Sequence, residues 1–395
     1  MLRAGHGIAL ATLCLLVVGV IFVNSASLNV EGSASTTLHG LLTSRATVFA
    51  LLAVLCLAVG AMIPVDRLAQ LRGVMNPVPW ILAISVLGIV LTHVPGIGYQ
   101  AKGAHRWIEL GPIRFQGSEL AKWGLPFVLA WWCCRNGSRA HEFWRGFALP
   151  LAAVSVMCVG IAVEDLGTAV LIMAVSLIML IAAGCRVWHV ALMAPAAVLG
   201  FVGLVIASPY RVNRILAYLD PYQDPRGIGY HVIQSMGAIG GGGLPGRGLG
   251  NSIQKFGYLP EGTTDFIYAI ICEETGILGA AGVIALYVVL LWCGWMVLAA
   301  TRPATAADGT AAEVSALSPF AQLLGLGVLA TIGLQALINI SVVTALAPTK
   351  GIALPLVSLG GTGWMLTCLA LGLLISMDRS TSRERCAEAV PNLQP

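Results

Sequence analysis

The chain has 395 residues, of which 57% are hydrophobic and 10% charged, with a mean hydropathy of +0.86 and a formal net charge of +4. An ordinary soluble domain carries about 25% charged residues, so this composition excludes one and indicates an integral membrane protein. The apolar runs are unbroken and rich in Leu, Val and Ala rather than alternating, which favours helices over the other structure lipid permits, a closed barrel.

A helix needs roughly 20 apolar residues to cross the hydrocarbon layer. On that measure ten spans are predicted, near 8–24, 45–64, 78–94, 118–135, 145–163, 166–184, 188–207, 266–300, 318–344 and 353–377. The expected fold class is an all-α polytopic membrane protein with ten transmembrane helices and a large extracytoplasmic loop, 208–264, between the seventh and eighth. One membrane domain covers 1–378, and the polar tail 379–395 is expected to be cytoplasmic and disordered. The first run, GIALATLCLLVVGVIFV, has the flavour of a signal peptide. No cleavage pattern leading into a soluble domain follows it, so it is kept as a span. The fifth and sixth spans are separated by little more than Glu164-Asp165 and form a tight hairpin.

Ten spans put both termini on one side, and the basic residues decide which. With the termini inside, interior segments hold eleven of the 22 Lys and Arg residues, short exterior loops and helix edges hold six, and the long loop holds the other five. Cytoplasmic termini follow from the excess of positive charge on interior segments. The two long polar connections, 95–117 and 208–264, then face outward, and connections of that length tend to carry function. Nine cysteines lie inside apolar runs with no metal-ligand spacing and are expected to be small buried hydrophobes without disulfides. The linker 301–319 is made of small residues.

The loop 208–264 contains HVIQSMGAI, expected to be a short amphipathic surface helix, and then eight Gly between Gly237 and Gly250. Such a cluster suits an amide nest around an anion such as pyrophosphate, but no P-loop pattern or preceding strand accompanies it, and a flexible turn is the more frequent origin of such a composition. No run of like charge suggests nucleic-acid binding.

An ionisable residue at membrane depth costs about 2.5–3.5 kcal/mol, so each is a candidate for function. Glu119 and Lys122 are spaced to pair on one helical face, either to neutralise each other or with Lys122 as a phosphate contact. Arg106 beside Trp107 is either an interfacial anchor or a phosphate fork. Asp165 is best explained as a helix cap. Asp265 has the same cap explanation, but it lies where the long loop re-enters the membrane, and partial desolvation there suits a general base. Glu273 is eight residues on, about 12 Å along a straight helix and about 80° round, too far to share chemistry with Asp265. Glu273 and Glu274 are therefore expected to be buried partners of basic residues such as Lys122 or Lys350.

The blocks VGVIFVNSAS, HRWIELGPIRFQGSELAKW, EDLGTAV, RILAYLDPYQDPRGIGYHVIQSMGAIGGGGLPGRGLGNSIQKFGYLPEGTTDFIYAIICEETG, NISVVTALAPTKG and IALPLVSLGGTGWM occur in this order along nearly the whole chain. In them the sequence resembles the SEDS proteins, the FtsW/RodA/SpoVE family. The resemblance implies a ten-span peptidoglycan glycosyltransferase that polymerises lipid II at the outer face of the bacterial cytoplasmic membrane. It implies Asp265, in the TDF motif, as the base that takes the 4-hydroxyl proton of the acceptor GlcNAc. Arg106, Lys122, Lys350 and Arg247 are then expected at the substrate or its pyrophosphate, with Glu119, Asp165, Glu273 and Glu274 in support. A divalent cation, Mg or Mn, is a further expectation, although no ligand cluster in the sequence demonstrates one. The implied partners are a class B penicillin-binding protein and other divisome membrane proteins. NSIQKFGYLPE, TDF and PTKGIALPLVS are closer to the division branch, FtsW, than to the elongation branch, RodA. The sequence departs from the family at Gly117 (usually Pro), Thr263 (commonly His), Cys272 (usually Gly) and SLGGTG (usually SYGGSS). Thr263 removes a neighbour of the proposed base and leaves Asp265 in place. A lipid II flippase is the rival expectation, but it requires a polar path through the bundle, whereas the charges here crowd the outer half.

Overall fold

The computed structural model describes residues 3–27, 40, 43–71, 73–101, 104–111, 113–305 and 311–388. Helices occupy all ten predicted windows: α1 (Ala4–Ala26), α2 (Arg45–Gly60), α4 (Pro77–Leu91), α5 (Gly117–Arg135), α6 (Leu149–Ala162), α7 (Leu166–Ala182), α8 (Val187–Ile206), α11 (Ile267–Leu298), α12 (Pro319–Val343) and α13 (Thr362–Glu388). A short α3 (Val65–Gln70) follows α2, and a π-helical turn at Phe143–Ala148 leads into α6. Among the described residues, five helices are long and apolar enough by themselves to cross a membrane, and three more are shorter apolar helices. The chain is a multi-pass membrane protein.

Local chemistry sets many boundaries. Ser44, Asn76, Asp165 and Ser318 each accept a backbone N–H at the start of α2, α4, α7 and α12, and Pro follows Asn76 and Ser318 directly. A side-chain acceptor outside the helix and a Pro in its first turn both suit N–H groups that have no helical partner. The last helix begins at Thr362, not 353, because residues 353–361 form turns; Leu356 there is in the left-handed region at φ 65°. It also runs past the predicted tail boundary to Glu388, so the described part of the tail is helical.

The two long polar connections contain more structure than the sequence suggested. Residues 98–116 form a three-stranded antiparallel sheet, β1 (Gly98–Ala101), β2 (Ala104–Leu110) and β3 (Ile113–Gln116), with Trp107 opposite Gln116 and Glu109 opposite Arg114. The loop after α8 holds α9 (Pro209–Leu219) and α10 (Tyr230–Gly242). The latter contains the predicted HVIQSMGAI helix, but it packs against α11 with Val232, Ser235, Ala238 and Gly242 buried. Within the 301–319 linker, Thr301–Thr305 pairs with Ala311–Ser315 as strands β4 and β5.

The long α11 is interrupted at Gly276, whose φ of 65° and ψ of −165° are not helical. A Cβ there would stand 2.4 Å from Leu244 O, so only glycine permits both the backbone turn and the close approach of the 208–264 loop. This break lies immediately after Glu273 and Glu274. The nine described cysteines are free thiols.

Candidate active site

Asp265 sits in the turn before α11, half-buried, its position fixed by the chain around it. Glu261 adopts φ 60°, and its carboxylate accepts the Thr264 hydroxyl at 2.7 Å, closing the turn from below. On the facing segment Gly351 has no side chain, and a Cβ built on it would stand 3.0 Å from Asp265 Oδ2 and 3.9 Å from Arg106 Nη1. Asp265, Arg106 and the backbone next to Lys350 therefore meet around one glycine, although they lie on three separate stretches of sequence.

Arg106 is delivered by β2, and its Nε donates to Glu164 O at 2.8 Å. Lys350 stands 5.5 Å over the Phe201 ring. Burial lowers its pKa from the ordinary lysine value of 10.5; Asp165 opposes the shift, and Arg214 and Arg211 add to it. These two arginines, absent from the sequence expectations, come from α9. Arg214 donates to Thr349 O at 3.1 Å, and Arg211 donates to Ala162 O and Val163 O at 2.6 and 2.9 Å. The amphipathic pattern of YRVNRILAYL was the available signal for them. Asp165 caps α7 as expected, accepting the Thr168 N–H at 3.1 Å and the Thr168 hydroxyl at 2.7 Å. A cleft with about 280 Å³ of empty space, including its open mouth, is lined by Thr92, His93, Arg106, Ser118, Glu164 and Asp165.

Other predicted residues gather elsewhere. Lys122 is 3% exposed and donates to Glu119 at 2.6 Å and to Gln335 at 3.0 Å, so the predicted pair exists inside the bundle. Glu273 and Glu274 do not pair with Lys122 or Lys350. Lys255 Nζ stands 3.6 Å from Glu274 Oε1, and Arg247 Nε 3.6 Å from Glu273 Oε1. The Ser252 hydroxyl and the N–H groups of Ile253 and Gln254 also donate to Glu273, at 2.5, 3.1 and 3.3 Å, while Ser25 of α1 donates to Glu274 at 2.8 Å. The Gly-rich segment leads into an amide nest as anticipated, but the anion inside it is the protein's own carboxylate. A phosphate would have to displace a carboxylate held by three donors. Arg247, expected at substrate, is committed to this cluster and also donates to Gly241 O.

A histidine from another element lies beside the residue that follows Asp265. His231 of α10 stacks on Phe266, with ring centroids 5.8 Å apart and planes at 14°. As to a divalent cation, the groups named around Asp265 are cationic. Among the described residues no three His, Cys, Asp or Glu side chains converge.

Comparisons with known proteins agree with one another. The family model FtsW/RodA/SpoVE, described as "Cell cycle protein", matches residues 7–383. A "Probable peptidoglycan glycosyltransferase FtsW" of Alkalilimnicola ehrlichii is 38% identical over 382 residues, covering 95% of this chain and 89% of that protein. "Stage V sporulation protein E" of Bacillus subtilis is 37% identical over 300 residues, 76% of this chain and 78% of that one. Among solved structures, a chain described under "Structural coordination of polymerization and crosslinking by a peptidoglycan synthase complex" superposes with a TM-score of 0.69 at 27% identity, covering 95% of this chain and 97% of that one. The rod shape determining protein RodA of Thermus thermophilus gives a TM-score of 0.62 at 22% identity over 94% of this chain and 96% of that one, a likeness of fold.

Proposed function

The chain belongs to the FtsW/RodA/SpoVE family of cell cycle proteins, and from that premise we propose that it is a peptidoglycan glycosyltransferase that polymerises lipid II, in the septal wall of dividing cells. The observation that carries the reading is the meeting of Asp265 and Arg106 around Gly351, beside Lys350. A carboxylate that can take a proton stands next to cations that can hold a leaving diphosphate. Asp265 accepts the proton of the acceptor sugar's 4-hydroxyl as that oxygen attacks the anomeric carbon of the donor, which inverts. Undecaprenyl pyrophosphate departs carrying its own charge, so it requires cationic stabilisation more than a proton. Arg106, Lys350 and Arg214 provide that charge. Glu119, Lys122, Glu273 and Glu274 act as buried pairs that hold the bundle and the exterior loop.

In this reading all ten helices span, the termini are cytoplasmic, and α9, α10 and the three-stranded sheet face outward with Asp265. The partner is a class B penicillin-binding protein; a solved relative described as a complex coordinating polymerization and crosslinking supports this. The test is lipid II polymerisation by the purified protein with its transpeptidase. Asp265→Asn, which retains a capping oxygen, is expected to abolish strand synthesis at normal expression. Wild-type polymerisation by that variant would overturn the assignment. A flippase, by contrast, makes no glycan strands in this assay.

A further inference from the structure

Three consecutive backbone carbonyls in the turn carrying Asp265 are each held from the stretch 339–359. Leu359 N–H donates to Thr263 O at 3.0 Å, the Ser358 hydroxyl to Thr264 O at 2.6 Å, and Asn339 Nδ2 to Asp265 O at 2.8 Å. The same side chains also hold the opposite wall of the site. Asn339 donates a second hydrogen to Ile352 O at 2.7 Å, and Ser358 accepts the Leu354 N–H at 2.7 Å. Gln335, four residues before Asn339 and so on the same face of α12, donates to Ala353 O at 2.8 Å. The segment that follows Lys350 and Gly351 is thus tied to the helix that also ties the base.

Asn339 is 2% exposed, and among the described residues its Oδ1 has no hydrogen-bond partner. A buried acceptor left unpaired is destabilising, so an amide here is a poor choice for helix packing alone. Its two donated hydrogen bonds, one to each wall, are what the position provides. We infer that Asn339 and Ser358 are positioning residues that hold the Asp265 carboxylate in register with the cationic segment at Lys350. This rests on Asp265 being the base. The clamp grips main-chain oxygens, so it does not depend on the side chain at residue 263, where this sequence has Thr rather than His.

The test compares Asn339→Ala, Ser358→Ala and Asp265→Asn in the full-length protein with its transpeptidase, measuring kcat and KM for lipid II together with thermal unfolding in detergent. A misplacement of about 1 Å can cost up to about a hundredfold in rate. The expected result for both clamp variants is a kcat lowered by about tenfold or more, with KM within about twofold of wild type and unfolding intact. Ser358→Ala is nearly isosteric and decides the matter if Asn339→Ala fails to fold. Wild-type kcat in the clamp variants, or a loss confined to KM, overturns the inference while an inactive Asp265→Asn leaves the base assignment standing. An active Asp265→Asn overturns both.

Discussion

Glu274 and Asp265 lie nine residues apart in sequence and have opposite surroundings. Glu274 is 1% exposed and is held by Lys255, Ser25 and the Ser252 N–H, with Glu273 beside it in an amide nest. Asp265 is half-buried, its backbone clamped and its carboxylate turned to a glycine with an arginine beyond. In one case the side chain is gripped within the protein; in the other the main chain is held as well, and the carboxylate lies beside a wall without a Cβ. A carboxylate enclosed by buried donors has no side open to a substrate, whereas one in a half-buried turn lies where a substrate can reach it.

The comparison is broken most completely at Asp265 itself. Asp265→Asn is expected to lower the polymerisation rate by at least about a hundredfold, the usual contribution of a general base. Thermal unfolding of that variant should match wild type, since the backbone clamp is untouched. Glu274→Ala should show the reverse pattern: it strands the buried Lys255 charge and is expected to cost about 3–5 kcal/mol of stability, read by unfolding in detergent. Adding Lys255→Met should recover much of that loss.

Smaller effects sharpen the contrast. Gly351→Ala places a methyl 3.0 Å from Asp265 Oδ2. It is expected to reduce kcat by about tenfold with little change in stability, a separation that initial rates and unfolding curves together measure. Lys350 supplies a pH test. Its pKa is lowered from 10.5, chiefly by burial. Between the lowered value and 10.5 the unfolded chain binds more protons than the folded one, so stability rises with pH in that window while the site loses a positive charge. The alkaline limb of activity should begin below the pKa of free lysine, and Lys350→Arg should move it upward. Asp165→Ala should cost about 1 kcal/mol through loss of the α7 cap, and Asp165→Asn much less.

Much of this was open to inspection in the sequence. Ten apolar windows became ten helices because hydropathy and length are local properties, and Ser44, Asn76 and Ser318 mark helix starts by local hydrogen bonding. Asp165 as a cap and Glu119 with Lys122 as a pair were readable for the same reason: each contact spans three residues. The sheet at 98–116 was not legible because its strands are short, nor was the helix at 209–219; the helix at 230–242 was expected from HVIQSMGAI, but its burial against α11 depends on a neighbour the local pattern does not name.

Sequence alone thus determined the membrane class and the helix positions, and it pointed to Asp265 among four nearby acids. Tertiary structure decided what surrounds each acid. Ser25 reaches Glu274 across 249 residues, and Asn339 reaches Asp265 across 74. Spacing along a chain carries no information about donors that arrive from elsewhere. Which carboxylate is enclosed and which is left facing the site depends on those arrivals, and they follow from how the helices pack.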